Sequence, residues 1–391
     1  MGKFIPLSIP NFEGNEEKYV VDAIASTYVS TVGGYVSRLE KDLAVFLRVD
    51  NVAVCQSGTS ALHLSMIEAG VKPGDVVLVP PLTFIAAVNP VKYQFATPVF
   101  IDCDDSFCMD PVKLRKFCED CEWDGEVLRY KGAAVKAIVV VHVFGNMADM
   151  ESIVDTAEKY NLKVIEDATE ALGTKYTEGR FVGKYAGTIG DFGTFSFNGN
   201  KIITTGGGGA ITANNSETVD HLRYLSTQAK NDPQYYIHDE VGYNYRMTNL
   251  QAALGVAQME ELEEFIGRKQ RNYELYKREF DGFDLVELMP FRVGTSSNKW
   301  FYSLKIDRTR ITATMREIIM ALEKEGIQTR AIWGLINEQK PYEGEQTYEL
   351  EKAPYYASRI LNIPSSTQIT EEEIKYVADK VKQLLGALAN G

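Results

Sequence analysis

One lysine, Lys201, lies in a segment that favours chemistry at its side-chain amine. An aromatic run typical of a β-strand precedes it, and two β-branched pairs and four glycines follow it. A lysine on such an irregular, glycine-bounded segment is held by the backbone and not by a helix face. We therefore interpret Lys201 as a candidate for covalent catalysis, in which its amine forms a Schiff base with a carbonyl group.

A pyridoxal cofactor needs four kinds of partner, and the chain offers each of them where a predicted strand ends. The aldehyde needs an amine, the ring nitrogen a carboxylate, the phosphate N–H and hydroxyl donors, and the ring an aromatic neighbour. Lys201 can supply the amine and Asp167 the carboxylate. The loop Ser57–Ser60 opens a helix after one strand, and Phe84 follows another.

Each of these features also has a purely structural interpretation. Asp167, with Glu170 three residues later, matches a helix start of the capping-box type. Ser57–Ser60 is a good helix N-terminus in any protein. Phe84 taken alone suits a hydrophobic core, and Lys201 taken alone suits the surface. The joint placement of all four features at strand ends favours a cofactor site.

Short apolar strands alternate with helices through the first half of the chain. This pattern predicts an α/β fold with a mostly parallel sheet between helices, in which ligands bind at the carboxyl ends of the strands. Apolar residues at helical spacing predict a long helix over 249–280. We place a large domain at 13–261 and a smaller one at 262–391, with 1–12 packing on the smaller domain or at a dimer interface. The predicted strands are 52–55, 75–79, 98–102, 137–141, 163–165 and 193–197.

The composition disfavours several classes of protein. With 45% hydrophobic and 24% charged residues, the 391-residue chain is predicted to be globular. Lys and Arg number 41 and Asp and Glu number 54, so the net charge is −13. This charge disfavours nucleic acid as a partner but allows a local basic pocket for one phosphorylated ligand. No segment is apolar enough to span a bilayer, so no membrane partner is expected.

Other kinds of site fit the sequence poorly. Residues 199–202 do not end a phosphate-binding loop, 206–209 lack the dinucleotide spacing, and no Gly-x-Ser-x-Gly hydrolase motif occurs. Four of the five cysteines cluster within 103–121, but only Cys118 and Cys121 have metal-like spacing, and no histidine lies nearby. Free thiols in a reducing cytosol are favoured over zinc, so we predict no metal site and expect a cytoplasmic protein.

Four passages identify a family that the chain resembles over nearly its whole length. The chain is similar to the sugar-nucleotide aminotransferases of the DegT/StrS family, which are fold-type-I pyridoxal phosphate enzymes. The resemblance implies a large domain with a mostly parallel seven-stranded sheet between helices, and a smaller α+β C-terminal domain. The four passages are Ser57–His63, Glu166–Gly173, Phe195–Lys201 and Gly242–Gly255. The subgroup that makes UDP-linked 4-amino sugars for legionaminic-acid-type or bacillosamine-type glycans is indicated by 198–209, 238–242, 330–333 and 362–366.

The resemblance also implies roles for residues of the cofactor site. Lys201 matches the Schiff-base lysine and Asp167 the partner of the pyridinium nitrogen. Asn244 matches the asparagine that reaches the phosphate in the neighbouring subunit, which implies a homodimer whose active sites are shared across the interface. The remaining residues implied to contact the cofactor are Gly58, Thr59 and Ser196 at its phosphate, Phe84 stacked on its ring, and Glu170, at a position commonly glutamine, near its ring hydroxyl or the sugar.

The substrates follow from the same resemblance, and their contacts are less marked in the sequence. We expect a sugar nucleotide and L-glutamate, with His142, Arg330, Trp333 and Lys230 as candidate contacts to the sugar nucleotide. A core histidine and a surface arginine are the structural alternatives for His142 and Arg330.

The expected reaction is transamination at C4 of a UDP-linked 2-acetamido-2,6-dideoxy-4-keto-hexose, giving the 4-amino sugar nucleotide and 2-oxoglutarate for surface glycan biosynthesis. The first alternative is a C3-aminotransferase acting on another dTDP-, UDP- or GDP-linked keto-sugar. A dehydratase of this fold would typically carry histidine in place of Lys201. A pyridoxal phosphate-binding sensor without catalysis is the alternative from another class, but the chain has neither the spare length nor the basic stretch for a DNA-binding module.

Overall fold

The computed structural model describes residues 4–232 and 234–390. The helices are α1 (Glu16–Ala25), α2 (Gly34–Leu47), α3 (Gly58–Glu68), α4 (Asn89–Tyr93), α5 (Pro111–Glu119), α6 (Met150–Lys159), α7 (Ser216–Ser226), α8 (Asn249–Glu279), α9 (Met315–Lys324), α10 (Lys352–Ala357) and α11 (Glu371–Asn390). The strands of the first half are β1 (Ala53–Cys55), β2 (Val76–Val79), β3 (Thr97–Ile101), β4 (Glu122–Trp123), β5 (Leu128–Tyr130), β6 (Ala133–Val141), β7 (Lys163–Asp167), β8 (Lys175–Tyr176) and β9 (Phe192–Ser196). Those of the second half are β10 (Gly209–Ala213), β11 (Lys230–Asp232), β12 (Ile237–His238), β13 (Val286–Leu288), β14 (Thr295–Ser296), β15 (Tyr302–Ile306), β16 (Arg330–Ala331), β17 (Gln346–Tyr348) and β18 (Ile360–Ile363).

A large sheet forms the centre of the described chain. Its strand order is β1-β10-β9-β7-β6-β2-β3-β17, and the hairpin of β4 and β5 branches from β6. From β9 to β17 all neighbouring strands on this path are parallel, whereas β1 and β10 pair antiparallel at one end. The predicted mostly parallel sheet between helices is confirmed, and its seven strands from β1 to β3 are joined at the edge by β17 from the C-terminal part.

The parallel register brings the ends of three strands to one edge of the sheet. Val141, the last residue of β6, pairs with Asp167, the last residue of β7. Asp167 in turn pairs with Thr194 of β9. The β-branched interior of these strands is buried on both faces, as in a parallel sheet covered by helices. Side chains that follow these strands therefore meet at the carboxyl edge.

A second hydrophobic core lies around a smaller antiparallel sheet. The order of that sheet is β13-β15-β18-β16, and α9 and α11 pack with it. Its fully buried residues include Tyr302 of β15, Ile318 of α9 and Val377 of α11. This arrangement confirms the predicted smaller α+β part at the C-terminal end.

The predicted domain boundary at 261/262 falls inside one continuous helix. Within α8, Leu262 and Phe265 belong to the core of the large sheet, whereas Tyr273 and Tyr276 belong to the second core. The chain later returns to the large sheet, because β17 pairs with β3. At the N-terminus, Ile5 packs in the second core beside Ile327. The division into 13–261 and 262–391 stays a prediction.

The cysteine-rich stretch is packed as ordinary core. Asp110 caps α5 by accepting hydrogen bonds from the Val112 and Lys113 amides. Cys118 is buried and Cys121 is half-buried. Within residues 4–232 and 234–390, no group of three or more His, Cys, Asp or Glu side chains is placed to hold a metal ion. The helices of these residues include none with the length and apolar character to cross a membrane.

Candidate active site

A cavity of about 460 Å³ opens at the carboxyl edge of the large sheet. It lies between the start of α3, the turn after β9 and the end of β16. The predicted site residues that line it are Gly58, Thr59, Phe84, Asp167, Glu170, Ser196, Lys201, Arg330 and Trp333. His142, Asn244 and Lys230 are predicted site residues that do not line it.

The start of α3 forms an anion cradle at one end of the cavity. Ser57 caps the helix, because its Oγ accepts a hydrogen bond from the Ser60 amide at 3.0 Å. The amides of Gly58 and Thr59 precede any intrahelical acceptor, so they can donate to an anion at the positive end of the helix. A Cβ at position 58 would lie 2.9 Å from the Cβ of Ser196, so only glycine fits there without displacing a neighbour.

The glycine run after Lys201 packs against this cradle. Phe197 donates its amide to the carbonyl of Gly208 at 2.8 Å, which folds the chain back after the lysine turn. A Cβ on Gly209 would come within 2.6 Å of the Ser57 backbone. The glycines thus allow close backbone packing behind the lysine, and Ser196 lines the cavity beside α3.

Lys201 points its amine into the cavity between an aromatic ring and a carboxylate. Its Nζ lies 4.3 Å from the ring centre of Trp300 and 3.7 Å from Oε1 of Glu170. Two hydrogen bonds hold the turn that carries it: the Lys201 amide donates to the Asn198 carbonyl at 3.0 Å, and the Trp300 indole N–H donates to the Asn200 carbonyl at 2.7 Å. Sequence reasoning did not identify Trp300 as a site residue, because no motif links this distant tryptophan to the lysine turn.

Asp167 ends β7 as a buried carboxylate that is 4% exposed. Its Oδ1 accepts a hydrogen bond from the Thr169 amide at 3.1 Å. Burial raises the pKa of Asp167, while the hydrogen bonds from Thr169 and the positive charge of Lys201 oppose that rise. A cationic ring nitrogen in the cavity would give this carboxylate the charge partner that its burial demands.

Glu170 is a second buried carboxylate next to the Lys201 amine. Its Oε2 accepts a hydrogen bond from the Phe144 amide at 2.8 Å. Burial raises the pKa of Glu170 and the positive charge of Lys201 lowers it, with a net rise to about 7. Phe144 has a left-handed backbone (φ 55°), which is uncommon for a bulky residue.

Aromatic side chains and one cation form the outer wall of the cavity. Phe84 is 56% exposed, so its ring is free to be covered. Trp333 stacks on Phe144 with 4.7 Å between ring centres. Arg330 lies on β16 and is exposed beside Asn362 of β18. This wall combines apolar faces with a guanidinium, which suits a sugar that carries phosphates.

His142 is a buried core histidine, so the predicted contact with the substrate is not supported. Its Nδ1 accepts a hydrogen bond from the Ala148 amide at 3.2 Å, and its Nε2 therefore donates to Oε2 of Glu166 at 2.9 Å. The ring is fully buried and does not line the cavity. Glu166 also accepts hydrogen bonds from the amides of Gly187, Ile189 and Gly190.

Lys230 and Asn244 lie on and beside the hairpin of β11 and β12, away from the cavity of their own chain. The Nζ of Lys230 lies 5.3 Å from the ring centre of Tyr236. The exposed Asn244 accepts a hydrogen bond from Gln228 at 3.0 Å. Contacts of these two residues with a site in a neighbouring subunit stay predictions.

Comparison with known proteins defines the class of this site. The model of the DegT/DnrJ/EryC1/StrS aminotransferase family matches residues 10–382, so the chain belongs to that family. The chain is 35% identical to GDP-perosamine synthase of Caulobacter vibrioides, over 97% of this chain and 98% of that protein. It is 28% identical to the UDP-4-amino-4,6-dideoxy-N-acetyl-beta-L-altrosamine transaminase of Campylobacter jejuni, over 96% and 97%. A crystal structure of a DegT/DnrJ/EryC1/StrS aminotransferase from Brucella abortus is similar with a TM-score of 0.85 and 26% identity, over 95% of each chain.

The chain is therefore a sugar-nucleotide aminotransferase, and enzymes of this family depend on pyridoxal 5′-phosphate. The cavity fits that cofactor on its own geometry. The cradle at Gly58 leaves room for a phosphate, Lys201 offers an amine, and Asp167 offers a buried carboxylate without a cationic hydrogen-bond partner in the described chain.

Proposed function

We propose that the enzyme transfers an amino group from L-glutamate to C4 of a UDP-linked 2-acetamido-2,6-dideoxy-4-keto-hexose. The products are the 4-amino sugar nucleotide, for surface glycan biosynthesis, and 2-oxoglutarate. One observation carries the proposal: the Lys201 amine, the Asp167 carboxylate and the N-terminus of α3 converge on one cavity that has an open aromatic side. That cavity has the size expected for a small-molecule site.

The residues of the cavity have distinct roles in this proposal. Bound pyridoxal phosphate supplies an electron sink for the carbon that loses its proton. The amides of Gly58 and Thr59, with the Ser196 hydroxyl, hold the phosphate. Asp167 keeps the ring nitrogen protonated, and Phe84 covers the ring. The free Lys201 Nζ removes the proton from Cα of the amino donor and delivers a proton to C4 of the sugar when the sequence reverses.

The outer wall supports a sugar nucleotide as the amino acceptor. Trp333 offers an apolar ring to a 6-deoxy sugar, and Arg330 offers a bidentate donor to a phosphate or to the carboxylate of the amino donor. Glu170 lies deeper, where the carbon that receives the amine must approach Lys201.

The names of the relatives indicate a second candidate for the nucleotide of the substrate. One relative at 35% identity is a GDP-perosamine synthase, whereas the UDP-4-amino sugar transaminase is 28% identical. A GDP-linked keto-sugar is therefore the main alternative substrate. Transamination at C3 is the other, because the position of the new amine depends on how the sugar lies against the wall.

We infer a homodimer whose active sites are shared between subunits. The hairpin of β11 and β12 exposes large apolar side chains that a single chain leaves uncovered, among them Tyr235, Tyr236 and Ile237. Such a patch is typical of a protein interface. Lys230 and Asn244 lie in the same region, where they would contact the phosphate groups of ligands bound to the other subunit.

A panel of UDP-, GDP- and dTDP-linked keto-sugars tests the substrate. The purified enzyme is incubated with each compound and L-glutamate, and the product is identified by NMR. We expect a 4-amino UDP sugar from wild-type enzyme and none from Lys201→Ala. A product with GDP alone, or an amine at C3, would overturn the proposed substrate. If L-glutamate changes the cofactor absorbance but no keto-sugar accepts the amine, the sensor alternative gains support.

A further inference from the structure

The buried side chains of Glu170 and Lys201 form an ion pair in the cavity. Their facing atoms, Oε1 and Nζ, lie 3.7 Å apart, and the side chains are 3% and 12% exposed. The other carboxylate oxygen of Glu170 is already occupied by the Phe144 amide. Oε1 is therefore the oxygen that faces the lysine amine.

The surrounding structure fixes both members of the pair. The buried Asn298 donates its amide group to the carbonyls of Glu170 and Leu172, each at 3.0 Å, and accepts from the Trp300 amide at 3.0 Å. The Asn298 side chain thus connects the backbone of Glu170 to Trp300, whose ring lies next to the Lys201 amine. The uncommon left-handed conformation of Phe144 also directs its N–H to Glu170, and such strain clusters at functional sites.

We propose that Glu170 is a catalytic residue that accepts the surplus proton of Lys201 and returns it. In this step an N–H bond of the lysine ammonium breaks and an O–H bond forms at Oε1 of Glu170. The result is a neutral amine beside a neutral carboxylic acid, and the reverse step restores the ion pair. The inference rests on the proposed function, because it concerns the Lys201 amine once it is free to act as a base.

The charges around Glu170 allow its carboxylate to store the Lys201 proton and to return it. The charged groups that face Glu170 are Lys201, which favours its carboxylate, and Asp167, whose negative charge opposes it. Burial and these charges bring the pKa of Glu170 to about 7, near the pH at which the proton must move in both directions. A glutamine at this position could contact the same groups but could not carry the proton.

Carboxyl-carbon NMR on the holoenzyme tests the proposal directly. Enzyme labelled with ¹³C at the glutamate carboxyl is loaded with cofactor and converted by L-glutamate to the form in which Lys201 is free. The resonance missing from Glu170→Gln belongs to Glu170. We expect it to titrate near neutral pH, and its midpoint to rise by about 1–3 pH units in Lys201→Met loaded with pyridoxamine phosphate, because the neighbouring cation is gone.

A titration midpoint near the ordinary glutamate value of about 4.3, or no change in Lys201→Met, would overturn the proposal. The rate of the half-reaction with L-glutamate gives a second measurement. Wild-type enzyme should show an ionisation near neutral pH that Glu170→Gln lacks, and an unchanged pH profile would contradict the proton store.

Borohydride reduction separates this inference from the proposed function. It should attach the cofactor covalently to Lys201 in both wild type and Glu170→Gln, as found by peptide mass spectrometry. Labelling of Lys201 with an unmoved Glu170 resonance refutes the proton store alone. Failure to label Lys201 in wild type refutes the proposed function, and the proton store with it.

Discussion

The buried Lys269 should make the free energy of unfolding depend on pH. Replacing this lysine with an uncharged residue should remove that dependence. This residue of α8 is 2% exposed. Its Nζ donates to the Trp300 carbonyl at 2.8 Å and to the Ser365 carbonyl at 2.6 Å, and no carboxylate is among its hydrogen-bond partners in the described chain. Burial lowers the pKa of Lys269 from 10.5 to about 7. The perturbation is Lys269→Met, which keeps a long apolar side chain and removes the charge.

The sign and size of the effect follow from proton linkage. Between the folded value of about 7 and the unfolded value of 10.5, the unfolded chain binds more protons at this residue. The free energy of unfolding therefore rises with pH through this window. Each full pH unit contributes about 1.4 kcal/mol, and the titration is only half complete at pH 7, so we expect a gain of about 2 kcal/mol between pH 7 and pH 9.

Urea unfolding at several pH values from 6 to 9 measures this gain as a difference between wild type and Lys269→Met. Other groups that titrate in this range cancel in the difference. Loss of the two hydrogen bonds to carbonyls lowers the stability of the variant by about 1–3 kcal/mol per carbonyl at every pH, which shifts its curve without changing the slope. The exposed Lys159 provides a matched control, and Lys159→Met should parallel wild type. Parallel curves for Lys269→Met as well would refute the reasoning.

Two further predictions concern the cavity. Gly58→Ala should weaken cofactor binding about tenfold or more, measured by cofactor titration, because the new methyl group crowds the phosphate cradle. Gly199→Ala, where a Cβ meets nothing within 4 Å, is the matched control and should bind as wild type does. Trp300→Phe keeps an aromatic ring but loses the donor to the Asn200 carbonyl, so borohydride trapping of cofactor on Lys201 should slow without loss of the fold by circular dichroism. Equal affinity in both glycine variants, or unchanged trapping in the tryptophan variant, would contradict these assignments.

Much of the site could be predicted because its residues follow strands of one parallel sheet. Asp167 and Ser196 end neighbouring parallel strands, and Gly58 begins the helix after β1. Because β1 and β9 both pair antiparallel with β10, they run in the same direction, and all three residues lie at the carboxyl edge. Strand order and side-chain chemistry therefore suffice to predict a common cavity. Lys201 follows from the same register, because the turn after β9 starts at that edge.

The residues that support Lys201 from the far part of the chain could not be predicted in this way. Trp300 and Asn298 precede β15 of the second sheet, and only tertiary packing brings them to the lysine turn. His142 shows the opposite failure. Its position after β6 is correct for the site edge, but its ring turns into the core toward Glu166, and the direction of a side chain after a strand is not encoded by strand periodicity.

The sequence pattern does not show where α8 passes from the first hydrophobic core to the second. The apolar positions of α8 continue at helical spacing from the first core into the second, so no break in pattern marks the passage.

The edge strand β17 consists of Gln346, Thr347 and Tyr348, which are not buried. Such a polar segment lacks the apolar signature of a strand, although it pairs with β3 over its whole length.

The position of two tryptophans should make the intrinsic fluorescence of the enzyme sensitive to ligands in the cavity. Of the three tryptophans in the chain, Trp300 and Trp333 line the cavity, whereas Trp123 lies elsewhere, edge-on to Tyr160. Indole emission from this protein therefore originates largely beside the ligands. Fluorescence of the unlabelled enzyme should report when the cavity is filled and emptied, and with it the lifetime of each bound ligand during turnover.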